Sequence, residues 1–224
     1  HRRGPGGLLR ASQHATNDVV TAPPVDWVEA AEAADPASLA DQAAVAALLG
    51  REPQGDFEVV VRRTGGAPVV IENAPVLPGG RPMPTRWWLV DAELCRRVGT
   101  LEAEGGVRRA EAEVGEAVMA DAHRRYEMLR DRAMPQDHHG PRPTGGVGGT
   151  RRGGKCLHAH LAWWLAGGDD PTGAWVAARL VERGQAPDLR RGDEPVLWPE
   201  ARDGSADGDG SADSDGGDEN DGGD

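Results

Sequence analysis

The chain has 224 residues, two cysteines and a formal net charge of −12, which is length enough for one sizeable core. No stretch approaches the roughly 18 consecutive apolar residues of a membrane span, and two cysteines exclude a disulfide-rich scaffold. Nine acids and no base lie in 203–224, three arginines and no acid lie in 1–16, and 28 acids face 22 bases between them, a balance that argues against a nucleic-acid partner.

Residues 1–26 lack periodicity and carry Gly-Pro-Gly-Gly and Pro23-Pro24, so disorder is expected there. Asp35-Pro36 reads as a helix cap followed by proline at the first helical position, and Leu39, Ala43, Ala46 and Leu49 carry the helix to a stop at Gly50. Residues 57–62 read as a Val-rich strand, Thr64-Gly65-Gly66-Ala67 as a turn, and 69–72 as the returning strand. Four prolines between Ala74 and Thr85 forbid regular structure. A third strand, 86–90, holds Trp87-Trp88, one of which should face the core.

Asp91 caps a helix running through Leu101, broken at Gly105-Gly106. A longer helix is expected over 108–133, with Val114, Val118, Ala122 or His123, Tyr126 and Leu129 as its apolar stripe and Pro135 as its end. A Gly-rich loop fills 135–154. Helices follow over 155–166 and 172–183, the second capped by Asp169-Asp170 with Pro171 in its first turn. Trp163-Trp164 are read as packing the helices onto the sheet. The tail from 201 to 224, an acidic Gly/Ser/Asp run, is too charged and too poor in apolar residues to fold.

Strands followed by helices predict an α+β domain over 27–200, with a small antiparallel three-stranded sheet packed by four or five helices. The chain begins at His1 without a charged-then-apolar leader, and a cytoplasmic location is expected.

Gly145-Gly146-Val147-Gly148-Gly149-Thr150-Arg151-Arg152-Gly153-Gly154-Lys155-Cys156-Leu157-His158-Ala159-His160 resembles a block of the bacterial, mostly actinobacterial, family called domain of unknown function 501. Three segments follow that family's layout in order: Leu49-Gly50-Arg51-Glu52-Pro53-Gln54-Gly55, the Pro-rich stretch from Ala74 to Thr85, and Leu101-Glu102-Ala103-Glu104-Gly105. The resemblance spans about 47–180. It implies no activity. It implies an association with cell division, since such proteins are often encoded near a septum-formation initiator and an exopolyphosphatase. It also implies a cysteine between the first two strands. Arg63-Thr64-Gly65-Gly66-Ala67-Pro68 has none, which counts against a metal role built on that cysteine.

The Gly-rich block carries the chemistry. Glycines can turn successive N–H groups toward one point, and a helix start adds unpaired donors and partial positive charge. Thr150, Arg151, Arg152 and Lys155, the last being the only lysine, are therefore expected to bind a phosphate-bearing or carboxylate ligand, the arginines as planar forks. The spacing is not that of a Walker A loop. The alternative is a solvated loop whose arginines meet an acidic protein partner, such as a cell-division protein.

Cys156 and His160, four apart on a helix, could share one zinc ion with Cys95, His123 or the His138-His139 pair, whereas His158 should point about 200° away from Cys156. Cys156 beside Lys155 and Arg152 could also serve as a nucleophile with His158 or His123 as base. The plain alternative is a buried cysteine and satisfied helix histidines. The sequence identifies no cofactor and does not decide whether the protein is an enzyme.

Overall fold

The computed structural model describes residues 37–200. The expectations for 1–26, for the acidic tail and for a helix start at Asp35-Pro36 fall outside those residues. The first described helix, α1 (Leu39–Leu49), begins at Ser38, whose hydroxyl accepts the Asp41 N–H at 3.1 Å, and ends at Gly50 with φ 67°. Gly50 fits there because only a residue without Cβ adopts the left-handed conformation at no steric cost.

Strands β1 (Phe57–Arg63) and β2 (Pro68–Asn73) form an antiparallel hairpin, and β3 (Trp87–Leu89) lies on the far edge of β2. The sheet does not stop at three strands. After the helices the chain returns to add β4 (Leu189–Arg191) against β1, and β5 (Glu194–Pro195) against β4, giving the order β3-β2-β1-β4-β5. The expected three-stranded sheet is therefore five-stranded. The two missed strands are three and two residues long, joined by a turn at Gly192 with φ 57°. They read Leu-Arg-Arg and Glu-Pro, with no apolar alternation for a sequence pattern to register.

There are six α-helices rather than four or five among the described residues: α1, α2 (Ala92–Ala103), α3 (Gly106–Val114), α4 (Glu116–Arg132), α5 (Leu157–Leu165) and α6 (Pro171–Glu182). The helix expected over 108–133 is two. Gly115, at φ 86° and ψ 148°, breaks it, and Val118, expected in the apolar stripe, is 44 % exposed. Asp91 caps α2 through the Leu94 N–H at 2.8 Å, and Asp170 caps α6 with Pro171 in the first turn, as expected.

The sheet is apolar on both faces. Val45 of α1 packs on Phe57, Ile71 and Val90. The larger core sets Val61, Val69, Val70 and Trp87 against Leu94, Val98 and Leu101 of α2 and Leu157, Leu161 and Leu165 of α5. At its centre Trp87, Tyr126 and Trp163 pack ring on ring, with centroids 5.2 to 6.0 Å apart. The buried Tyr126 hydroxyl accepts the Arg86 N–H at 2.7 Å and lies 3.3 Å from the Pro84 carbonyl. This ties the Pro-rich stretch to α4. Trp88, the outward partner of Trp87, lies under the Arg51 guanidinium. No described helix is long and apolar enough to cross a membrane.

Candidate functional site

Helix α2 buries Leu94, Val98 and Leu101, the i, i+4, i+7 stripe of a core-facing helix. Cys95 and Glu102, seven apart and one position round from that stripe, share the flank that meets the start of α5. Helix α5 begins against that flank. Its N-cap is Cys156, with extended dihedrals of φ −154° and ψ 113°. Glu102 takes the cap's place: its Oε1 accepts the Leu157 N–H at 2.6 Å.

This extended cap changes which side chains meet. Helical spacing would pair Cys156 with His160 and turn His158 away. Because Cys156 stands outside the helix, its Sγ instead lies 3.7 Å from His158 Nδ1. The same Nδ1 is 3.2 Å from Glu102 Oε1, and His158 Nε2 is 2.9 Å from the Cys95 carbonyl. A carbonyl only accepts, so Nε2 carries a hydrogen and Nδ1 faces the carboxylate and the thiol. Glu102, Cys156 and His158 are the one group of three or more potential metal ligands found among the described residues, with ligand atoms all within 4.8 Å of one another.

The electrostatics follow from these contacts. The Cys156 hydrogen bond, working against burial, raises His158 to about 9, with help from the Cys95 carbonyl and the Glu102 charge. Burial pushes the Cys156 thiol up, but the hydrogen bonds from His158 and the Ala159 N–H and the imidazolium charge bring it below its ordinary value. Burial first, then the charges of Asp91 and Cys156, push Cys95 up to about 11. Cys95 instead donates to the Leu89 carbonyl at 3.3 Å, and it is not among the clustered ligands.

The other histidines are occupied elsewhere. His160, fully buried, meets Asp170 through Nδ1 at 2.7 Å, while its Nε2 has no partner. His123 accepts the Val147 N–H on Nδ1 at 3.1 Å and donates from Nε2 to the Gly153 carbonyl at 3.0 Å. His138 donates to the Pro141 carbonyl at 3.0 Å. Neither His123 nor the His138-His139 pair joins the Cys156 group.

Five amides of the Gly-rich loop and the helix start are given to protein acceptors. Val147 N–H goes to His123, Gly154 N–H to Glu111 Oε1 at 3.0 Å, and Leu157 N–H to Glu102. Gly146 N–H goes to the Thr150 carbonyl at 2.6 Å and Gly149 N–H to the Gly146 carbonyl at 2.9 Å. Buried Arg130 holds the Gly145 carbonyl from below. The Thr150 hydroxyl is turned back on Arg152, donating to its carbonyl at 2.8 Å and accepting its N–H at 3.3 Å. What the loop does present is charge: Arg151, Arg152 and Lys155 are exposed. Glycine is required where the loop closes. A Cβ on Gly146 would strike the His123 ring, and one on Gly153 the Glu111 carboxylate.

Beside the Cys156 group, Glu102, Ala103, Glu104, Gly105, Val107 and Arg108 line an open groove of about 490 Å³ at the α2–α3 turn. Glu102 belongs to both features. Sequence reading passed over it because Leu101-Glu102-Ala103-Glu104-Gly105 looked like no more than a helix end. The available signal was its seven-residue spacing from Cys95, which places both on one flank of a helix whose apolar stripe is known.

No curated protein and no solved structure matches the chain. The family described as "Protein of unknown function (DUF501)" matches residues 59–178, a span that holds β2, β3, α2 to α5 and all three residues of the Cys156 group. By that match over more than half its length, the chain belongs to the DUF501 family.

Proposed function

We propose that Glu102, Cys156 and His158 form a three-ligand centre for a divalent metal of the zinc type. The observation that carries this reading is the spacing of the ligand atoms. A tetrahedral ion with Zn–S near 2.3 Å and Zn–N and Zn–O near 2.0–2.1 Å sets its sulfur and nitrogen ligands about 3.6 Å apart, and its nitrogen and oxygen ligands about 3.3 Å apart. Here the Cys156 Sγ to His158 Nδ1 distance is 3.7 Å and the His158 Nδ1 to Glu102 Oε1 distance is 3.2 Å. His158 also shows the support expected of a ligand, its second nitrogen tied to a backbone carbonyl, which fixes the ring.

The metal-free and metal-bound states differ by a proton. Without metal, a proton on His158 Nδ1 would lie between the Glu102 carboxylate and the Cys156 sulfur. A divalent ion replaces it and satisfies all three groups. Three protein ligands leave a fourth position, the arrangement of zinc sites that bind a further ligand rather than only brace a fold. This set differs from the one expected by helical spacing, since His160 and Cys95 are engaged elsewhere.

A second reading rests on the same thiolate. Held low by His158 at a helix start, Cys156 has the surroundings of a nucleophilic cysteine, with His158 as its proton partner. One experiment separates the two. Full-length protein is assayed for bound zinc and for the rate of Cys156 alkylation with and without chelator. The metal reading expects about one zinc per chain, lost in Cys156→Ala and His158→Gln, and alkylation accelerated by chelator. Protein that takes up no zinc but alkylates rapidly refutes it in favour of the nucleophile.

A further inference from the structure

The groove at the α2–α3 turn, with Arg108 on its wall, and the exposed Lys155 next to Cys156 in the chain suggest what the fourth position takes. Resting on the metal reading above, we infer that this position receives a small oxyanion, a phosphate-type dianion, held jointly by the metal, Arg108 and Lys155. Three observations carry the inference.

The first is access. The Glu102 and His158 side chains are each 27 % exposed, so the centre is open on one side. Glu102 itself stands on the wall of the 490 Å³ groove.

The second is the charge left over. The groove's other carboxylate, Glu104, is already committed, to Arg183 at 2.5 Å and Arg109 at 3.8 Å. Arg108 has no acidic partner among the described residues, and its guanidinium folds back over Gly105, where a Cβ would lie 3.3 Å from it. Lys155, next to the ligand Cys156, is exposed and likewise unpaired among the described residues, as are Arg151 and Arg152. Arg62, Arg63, Arg86, Arg97, Arg125 and Arg179, by contrast, all meet carboxylates. A divalent ion balanced by one thiolate and one carboxylate is neutral overall. Of the unpaired cations, Arg108 stands on the groove wall with Glu102 and Lys155 adjoins Cys156 in the chain, and together they carry the charge to balance a dianion.

The third is what the backbone no longer offers. The loop N–H groups of Val147 and Gly154, and that of Leu157 at the helix start, are given to protein acceptors. Those three donors are closed to an anion, whereas the Arg108 and Lys155 side chains are exposed and available to one. An Arg fork and a Lys point charge both suit phosphate oxygens.

Cobalt(II) reports on both layers of this inference. Cobalt bound to Cys156 in full-length protein shows a thiolate-to-cobalt charge-transfer band, and its visible bands respond to a change of the fourth ligand. Titration with inorganic phosphate is expected to shift the visible bands saturably. Arg108→Ala and Lys155→Ala should each raise the half-saturating phosphate about tenfold or more with the charge-transfer band unchanged, and acetate should bind at least about tenfold more weakly. Bands that ignore phosphate while the charge-transfer band is present overturn the oxyanion site and leave the metal centre standing. Equal response to acetate, or variants indistinguishable from the parent, overturns the assignment of a dianion to Arg108 and Lys155. Absence of the charge-transfer band overturns the metal reading itself, and the oxyanion site with it.

Discussion

Acid should loosen the Gly-rich loop through His123. This histidine is 4 % exposed and joins both ends of the loop: Nδ1 accepts from Val147 and Nε2 donates to Gly153. Burial lowers its proton affinity below the ordinary value, and the nearby His160 lowers it further; the Gly153 carbonyl and the charges of Asp170 and Glu127 oppose the shift without reversing it. A proton on Nδ1 also removes the acceptor used by Val147. The unfolded chain therefore binds this proton first. Stability is complete above about pH 6.5 and falls as the pH drops below it, by no more than about 1.4 kcal/mol per pH unit. Between pH 7 and 5 the loss from this group is bounded at about 2 kcal/mol. His158 does not confuse the window. Raised to about 9, it contributes stability that is complete well below pH 6.5 and is lost as the pH rises toward 9, a change shared by the parent and the His123 variant that cancels in their difference. Urea unfolding of the parent and of His123→Asn, at pH 7, 6 and 5, reads the effect. The asparagine keeps an acceptor for Val147 and does not titrate. It should start about 1 kcal/mol lower for loss of the Gly153 bond and then lose clearly less than the parent on acidification. Parallel pH profiles for the two proteins would refute the reasoning.

Cys156 and Cys95 should differ in reactivity: in metal-free protein near pH 7.5, iodoacetamide should modify Cys156 at least about tenfold faster, because Cys95 is pushed up to about 11 and little of it is thiolate. Peptide mapping after timed quenching reads the ratio, and equal rates would contradict the assigned environments. Asp170→Ala removes the acceptor of the Thr172 and Gly173 N–H groups, at 2.9 and 3.1 Å, and strips fully buried His160 of its partner. A loss of about 2–4 kcal/mol in denaturant unfolding is expected, and a loss under about 1 kcal/mol would show that neither contact matters.

What the sequence discloses here is what depends on neighbours along the chain. Asp91, Asp170-Pro171 and Gly50 punctuate helices by local stereochemistry, and each sits where its residue type directs. The β1–β2 hairpin carries enough valine and a Gly-Gly turn to be visible. Of the strands that escape notice, β4 is held by pairing with β1 across more than 120 residues of chain and β5 by pairing with β4, and nothing in Leu-Arg-Arg advertises that. Gly115 shows the opposite failure. The apolar spacing runs through it, but the backbone there leaves the helix, so periodicity alone joined two helices. At the site the Cys-Leu-His order was visible and its geometry was not. A helical wheel applies only inside a helix, and Cys156 stands one residue before it.

The start of α5 shows how one acidic residue can redefine a site. A helix N-terminus preceded by glycines and basic residues invites an external anion. In this protein the anion is internal: Glu102, carried in by α2, occupies the donor that a ligand would have used. The carboxylate then does two things an external ligand does not. It joins two helices whose relative placement comes from the packing of Leu94, Val98 and Leu101 against Leu157 and Leu161, and it brings a third ligand atom beside Cys156 and His158. The helix-start charge that argued for anion binding is thereby spent on orienting a carboxylate. On the oxyanion inference, selectivity for a bound anion falls to Arg108 and Lys155. The arrangement also gives the loop's glycines a packing role: at Gly146 and Gly153 they let the backbone pass close to His123 and Glu111, and Cys156 emerges in extended form at the point where Glu102 and His158 converge.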